Sequence, residues 1–200
     1  MDTIKKGFIL EQKDNRQIVR TVVKDIITIF KKENEGEFYL PEELEEDTLE
    51  YEFPKFSVSL EITIEPSDSI DDFLVNAELY RDENIIGLII KYNPNKKNQI
   101  LYNLVGELNE IIAHEIRHID QKNRNLFDLD GPEEKGIEYY LQPHEIDAQI
   151  FGFRRMSKLT KRPFAEVVRN WFNTHKELHK LEPYEQEQVI RIIIDHNSKI

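Results

Sequence analysis

The spacing of apolar residues predicts two helices in the first two thirds of the chain. From Gln17 to Lys32, apolar residues recur every three or four positions, and the polar run 34–36 is expected to end that helix. A second stripe of the same period runs through residues 101–119 and also predicts an amphipathic helix. Its members are Leu101, Leu104, Val105, Leu108, Ile111, Ile112, Ile116 and Ile119.

Between these helices the pattern changes to that of strands. Residues 56–65 alternate between apolar and polar side chains, and residues 73–80 and 85–92 are two further strand candidates. Pro66 and Asn93-Pro94-Asn95 mark turns. The order of an N-terminal helix, a small and mostly antiparallel sheet and a second helix predicts an α+β fold.

The rest of the chain predicts a helical part. Residues 123–138 hold Gly131, Pro132 and Gly136 among charged residues and are interpreted as a loop. A helix is expected to begin at Pro143, and helical patterns follow over 163–173 and 185–196. Without internal repeats or a flexible linker, residues 1–200 are predicted to form one domain, with a helix-plus-sheet part (1–99) and a helical part (100–200).

The second helix contains His114-Glu115-Ile116-Arg117-His118, an HExxH segment. Two histidines four residues apart lie about 40° from each other around a helix, so both imidazoles can reach one metal ion. Glu115 lies on the flank of that face, where its carboxylate can take a proton from water without occupying a coordination position. The pattern predicts a hydrolytic site with one Zn²⁺ per chain.

A catalytic zinc usually has three protein ligands, so a third is needed. The best candidate is Glu145, in the first turn of the helix expected from Pro143. Ile146, Ile150 and Phe153 form a stripe that could dock this helix against the HExxH helix. His144 and Asp147 are competing ligands.

These residues resemble the gluzincin-type zinc metallopeptidases, in which a Glu on a second helix completes HExxH. More narrowly, His114 to Gln121 followed by Tyr140, Pro143, Glu145, Asp147 and Ala148 is similar to the HExxHxxQ and ExDA pattern of small bacteriophage and prophage proteins classed as metallopeptidases. The resemblance covers about residues 100–156. It implies a zincin-like fold, zinc ligands His114, His118 and Glu145, and Glu115 as catalytic base.

The same resemblance suggests which residues support the ligands. Many gluzincins have an Asp four residues after the ligand Glu, where it orients a zinc-bound His, but this chain has Gln149 there. Asp147 or Asp120 could serve instead. Tyr139 and Tyr140 are candidate donors to the oxyanion of a tetrahedral intermediate, with packing as the competing interpretation.

Three other histidines are interpreted as structural. His175 and His179 also have i, i+4 spacing, but Lys176 stands where HExxH has its Glu. The segment is expected to be the polar end of a helix, whose cationic groups suit the C-terminal dipole. His196 is interpreted in the same way.

Composition narrows the range of partners and compartments. A net charge of −12 argues against nucleic acid as the main partner, because phosphate binding needs clustered Lys and Arg. The acidic run from Glu42 to Glu52 is interpreted as a solvated face or loop. There is no cysteine, so disulfides and thiolate ligands are excluded. With no apolar run long enough for a signal peptide or a membrane span, a cytoplasmic protein is expected, in the host cytoplasm or the virion if phage-encoded.

The sequence therefore predicts a zinc metallopeptidase acting on a protein or peptide. Residues 84–92 are expected to form an edge strand beside the metal cleft, where an extended substrate pairs. The alternatives are another metal-dependent amidase, a catalytically inactive zincin-fold interaction or virion protein with structural zinc, and a globular protein whose HExxH is accidental.

Overall fold

The computed structural model describes residues 2–32, 48–52, 57–80, 83–127 and 136–199 and has a mixed α+β architecture. The predicted α+β class is therefore confirmed. The chain divides into two compact units, Met1–Ile119 and Asp120–Ile200. The boundary falls inside helix α2 (Lys97–Asn123), whose last turn is counted with the second unit.

The first unit begins with the helix α1 (Asp2–Lys32), which contains the predicted helix 17–32 and starts well before it. Its apolar stripe is buried, with Val19, Ile26 and Phe30 fully inaccessible to solvent. The residues expected to end this helix, 34–36, lie outside the described part of the chain.

A four-stranded sheet follows, with the spatial order β1-β2-β4-β3. Its strands are β1 (Thr48–Glu52), β2 (Ser57–Pro66), β3 (Phe73–Tyr80) and β4 (Ile85–Tyr92). β1 pairs with β2 and β3 with β4 in antiparallel fashion, whereas β2 and β4 are parallel. The three predicted strands are therefore confirmed, and most of the pairing is antiparallel.

The prediction that residues 84–92 form an edge strand is wrong. β4 lies inside the sheet, with Leu88 opposite Ile62 of β2 on one side and Ala77 of β3 on the other. The sequence of β4, IIGLIIKY, has only one charged residue. Such a nearly continuous apolar run is typical of an interior strand in a parallel pairing, and β1 and β3 form the edges of the described sheet.

β1 was not predicted, because it lies within the acidic run 42–52. Glu50 and Glu52 are exposed, in agreement with a solvated face, but residues 48–52 form a strand rather than a loop. Leu49 is half-buried and lies opposite Leu60. Alternation over only five residues, with two apolar positions, is too short a signal to identify a strand. Residues 42–47 lie outside the described part of the chain.

α2 follows β4 after a short 3₁₀ turn (Pro94–Lys96), where the Asn93 side chain accepts a hydrogen bond from the Asn95 backbone N–H. In the predicted apolar stripe of this helix, Leu104, Leu108, Ile112, Ile116 and Ile119 are fully inaccessible, and Leu101, Val105 and Ile111 are half-buried. The predicted helix through the HExxH segment is therefore confirmed.

The second unit is helical. After the last turn of α2 it contains α3 (Ile137–Tyr140), α4 (Pro143–Thr160), α5 (Phe164–Thr174), α6 (Lys176–His179) and α7 (Pro183–Lys199). The predicted helix starting at Pro143 and the two predicted helices after it are confirmed. They share a core whose fully buried members include Val168, Phe172, Val189 and Ile193. Half of the predicted loop 123–138, residues 128–135, lies outside the described part of the chain, whereas residue 123 belongs to α2 and residues 137–138 to α3.

Polar contacts connect the helices of this unit. Arg154 of α4 donates from Nε to the Asn197 side-chain oxygen of α7 at 2.6 Å. Arg169 of α5 forms a bidentate ion pair with Glu187 of α7, with its shortest distance at 2.8 Å. Among the described helices of the whole chain, none is both long enough and apolar enough to cross a membrane.

Candidate metal centre

The HExxH segment lies where α2 is buried around its whole circumference. From Gly106 to Gln121, every residue is buried except Ile111 and His114, which are half-buried. Sixteen consecutive positions make more than four turns, so this burial includes the polar side chains. Buried polar groups need a partner, which can be a protein group, water or a metal ion.

The two histidines of the segment meet on one side of α2. Their Nε2 atoms are 2.9 Å apart, and the rings are nearly perpendicular, with centroids 4.6 Å apart. At this distance one nitrogen can donate a hydrogen bond to the other. Two ligands of a tetrahedral zinc ion, each 2.0–2.1 Å from it, would be about 3.3 Å apart, so a small adjustment brings both nitrogens to one ion.

The first turn of α4 presents a buried carboxylate. Pro143 occupies the first helical position, and Glu145 follows two residues later with no solvent exposure. The neighbouring His144 is also buried, and its Nε2 lies 3.6 Å from Glu145 Oε1. The unpaired N–H groups at a helix N-terminus favour a negative charge at this position.

His114, His118 and Glu145 form a group that could hold a metal ion. Each offers one ligand atom, and these atoms all lie within 4.8 Å of one another. Two imidazole nitrogens and a carboxylate oxygen are a donor set suited to zinc, and three protein ligands leave a fourth position for water or substrate. The three residues predicted as ligands are therefore brought together, whereas His144 and Asp147 are not part of the group.

Glu115 follows His114 on α2 and is 8% exposed. One residue along a helix corresponds to about 100° of rotation, so its side chain leaves the helix on the flank of the face that carries the histidines. That placement agrees with the predicted position of a base beside the ligands, while its catalytic role stays a prediction.

A residue without an assigned role, Gln121, connects two helices of the second unit. It is fully buried, and its Nε2 donates to the His144 carbonyl oxygen at 2.9 Å and to Asp147 Oδ2 at 2.8 Å. These two acceptors flank Glu145 in the chain. In the sequence, the feature that could have pointed to a role for Gln121 is its position three residues after His118, on the same side of the helix.

The predicted supporting residues make the following contacts. Asp147 accepts the hydrogen bond from Gln121, and Asp120 lies 3.5 Å from Arg124 Nη1. Gln149 lies one turn after Glu145, and its buried Oε1 has no hydrogen-bond partner among the described residues. An amide oxygen so placed can still accept a bond from a neighbouring group, so its orienting role stays a prediction.

Tyr140 is packed in the core of the second unit. Its ring lies edge-on to Phe172, with centroids 5.8 Å apart, and to the neighbouring Tyr139 at 5.2 Å. Tyr140 is only 4% exposed, whereas Tyr139 is half-buried. These contacts support the packing interpretation of Tyr140, and the oxyanion role of either tyrosine stays a prediction.

Two acidic residues of α2 were not singled out by the sequence pattern. Glu107 and Glu110 are 8% and 4% exposed, and each is one turn from the next residue of the series Glu107, Glu110, His114. This polar face of α2 is therefore longer than the HExxH segment. The available signal in the sequence was their spacing of seven and four residues before His114, which places them on its side of the helix.

The interpretation of His179 as a cationic group at the polar end of a helix is wrong. His179 is fully buried, its Nε2 bonds the Phe172 carbonyl oxygen at 2.9 Å, and its Nδ1 accepts the Leu181 backbone N–H at 3.0 Å. The Nε2–H tautomer of the neutral ring satisfies both bonds. Burial lowers the pKa of His179, the bond to the Phe172 carbonyl oxygen partly opposes this, and the neighbouring His175 and Lys176 add to the lowering.

The other two histidines agree with the structural interpretation. His175 ends α5 with its Nδ1 2.9 Å from the Trp171 carbonyl oxygen, and its ring stacks on the indole. His196 Nδ1 lies 3.0 Å from the Ile192 carbonyl oxygen in the last turns of α7. Imidazole groups at helix C-termini can satisfy carbonyl oxygens in this way.

Comparisons of this chain with protein-family models, with curated proteins and with solved structures give no match.

Proposed function

We propose that the protein is a zinc-dependent metallopeptidase with a zincin-type fold, in which His114, His118 and Glu145 hold the metal. The observation that carries this proposal is the convergence of these three ligand atoms to within 4.8 Å. Their types and number match catalytic zinc sites, which keep one position open, better than structural sites, which usually have four protein ligands.

When bound there, zinc would polarise a substrate carbonyl and make water acidic enough to lose a proton near neutral pH. The protein's own residues then have two tasks. The two histidines and Glu145 fix the site on the helices α2 and α4. Glu115 accepts the proton from the attacking water and returns it to the departing amine nitrogen, so that peptide cleavage needs no other base.

The substitution Glu115→Gln tests the proposed base. It keeps the size of a largely buried side chain but removes the group that accepts a proton. We expect the variant to bind one zinc ion, as measured by elemental analysis, and to lose at least 100-fold in cleavage of a defined peptide library read by mass spectrometry. Equal turnover by wild type and variant would overturn the role of Glu115.

A second candidate function is an interaction protein with structural zinc. The observation that favours it is the 3.6 Å distance between His144 Nε2 and Glu145 Oε1, because His144 could become a fourth ligand and close the site. This candidate predicts one zinc per chain, no cleavage of any library peptide, and loss of zinc when His144 is replaced.

A further inference from the structure

We infer that Gln121 is a positioning residue for Glu145. This inference rests on the proposed zinc site. It assigns to the Gln121 amide the task of holding the first turn of α4, which carries Glu145, in position. Gln121 Nε2 uses both of its hydrogens on the first turn of α4, donating to the His144 carbonyl oxygen at 2.9 Å and to Asp147 Oδ2 at 2.8 Å.

The two bonds act at points on either side of Glu145 in the chain. A single bond would leave the first turn of α4 able to rotate about it, whereas two bonds to residues 144 and 147 define its rotation and its height along α2. Glu145 lies between these points, so the same two bonds place its backbone and the start of its side chain. Metal affinity depends on such supporting contacts, because a ligand held in place loses less freedom on binding.

Gln121 also shares a helix face with the two histidines. It follows His118 by three residues and His114 by seven, which places all three on one side of α2. The helix therefore carries two of the proposed ligands and the group that holds the third. Gln121 is fully buried, so its amide does not face bulk solvent.

The contacts of Asp147 support this assignment. As a carboxylate it accepts the bond from Gln121, and its negative charge also acts on Arg154, two turns further along α4. Arg154 in turn donates to Asn197 of α7. Asp147 thus belongs to the contacts that hold α4 in place, rather than to the ligand group.

The test compares zinc affinity with metal-free stability. Gln121→Ala removes both bonds, and we expect its zinc dissociation constant, measured by competition with a chromophoric chelator, to rise 10- to 100-fold. Gln121→Glu places a carboxylate against Asp147 and should weaken zinc binding further. The double variant Gln121→Glu/Asp147→Asn restores the bond to residue 147 with reversed polarity but leaves the His144 carbonyl oxygen without its donor, so it should recover only part of the affinity.

Asn197→Ala is the matched control. It removes a partly buried bond of α4 about 13 Å along the helix from Glu145, at 1.5 Å per residue, and should lower stability without changing zinc affinity. If Gln121 had only a structural role, both variants would lower metal-free stability in chelator and leave the zinc dissociation constant unchanged.

The outcomes separate the two proposals. If wild type binds zinc and Gln121→Ala has the same zinc dissociation constant, the role of Gln121 is overturned and the zinc site is not. Failure of wild type to bind zinc would overturn the zinc site and this inference with it. If Gln121→Ala does not fold, Asp147→Ala removes one of the two bonds and carries the same comparison.

Discussion

The Nε2 atoms of His114 and His118 lie 2.9 Å apart on successive turns of α2, and Glu145 supplies a third ligand atom within 4.8 Å of both. At this distance the two nitrogens can share a proton in a hydrogen bond, or bind one ion after a small adjustment. Either a shared proton or a shared metal ion satisfies the two Nε2 atoms. The metal-free and metal-bound states can therefore exchange without rearrangement of the helix.

Replacement of single ligands should remove the metal. We expect His118→Ala and Glu145→Ala each to weaken zinc binding by at least 100-fold, because two remaining ligands do not define a tetrahedral site. Elemental analysis after purification without added metal measures this directly. His196→Ala, which changes an exposed histidine of α7, is the control and should keep one zinc per chain. Stoichiometric zinc in both ligand variants would contradict the site.

Zinc should also stabilise the fold. A ligand that binds only the folded state, at 100 times its dissociation constant, adds about 2.7 kcal/mol to the free energy of unfolding. We expect this increase in wild type when denaturant unfolding is compared with and without zinc. The gain should disappear in His118→Ala, and an equal gain in that variant would show that zinc acts elsewhere.

His144 distinguishes an open site from a closed one. Because it is not a member of the three-residue group, we expect His144→Gln to keep its zinc and its peptidase activity to within about threefold. Elemental analysis and the peptide-library assay measure the two properties. Loss of zinc on this substitution would favour the structural-zinc function instead.

Acid should destabilise the second unit through His179. Its pKa is lowered in the folded protein, so the unfolded state binds more protons once the pH falls below about 6.5. The stabilising contribution is complete above that pH and is lost as the pH decreases, by at most about 1.4 kcal/mol per pH unit. The single tryptophan, Trp171, packs against Phe172 and allows unfolding to be followed by fluorescence.

His179→Gln is the control for this pH effect. Glutamine does not titrate, so the difference in unfolding free energy between pH 7.5 and pH 5.5 should be smaller in the variant than in wild type. The comparison uses the pH dependence of each protein and does not require equal stability. Identical pH profiles would exclude His179 as the source.

Phe172 should be among the most sensitive core positions of the second unit. It is fully buried against Tyr140, Phe153 and Trp171. Phe172→Ala is expected to cost about 3–5 kcal/mol in unfolding free energy, and Phe172→Leu distinctly less, because leucine fills more of the cavity. A cost below about 1 kcal/mol for alanine would mean that the cluster is loosely packed.

Local sequence patterns predicted most of the helices and strands because these elements depend on neighbours a few residues away. The apolar stripe through Leu104 and Ile116, and Pro143 at the start of α4, are signals of this kind. Glu145 could be proposed as a ligand because a carboxylate in the first turn of a helix is visible in the sequence.

The errors concern relationships between distant residues. The position of β4 inside the sheet depends on its pairing with β2 as well as β3, which no window of β4 alone contains. The burial of His179 depends on the path of the chain after α5, which brings Leu181 to its Nδ1. Gln121 had no predicted role because its acceptors lie more than twenty residues later in the chain.

The strand order of the sheet has a consequence for how the protein is made on the ribosome. β4 is the last of the described strands in the sequence, yet it fills the place between β2 and β3 and supplies the partner for both. A nascent chain that ends before Ile85 holds β3 without its neighbour, so the sheet can close only after residue 92 has emerged. Since α2 starts five residues later, the metal-bearing helix is synthesised immediately after the strand that completes the sheet.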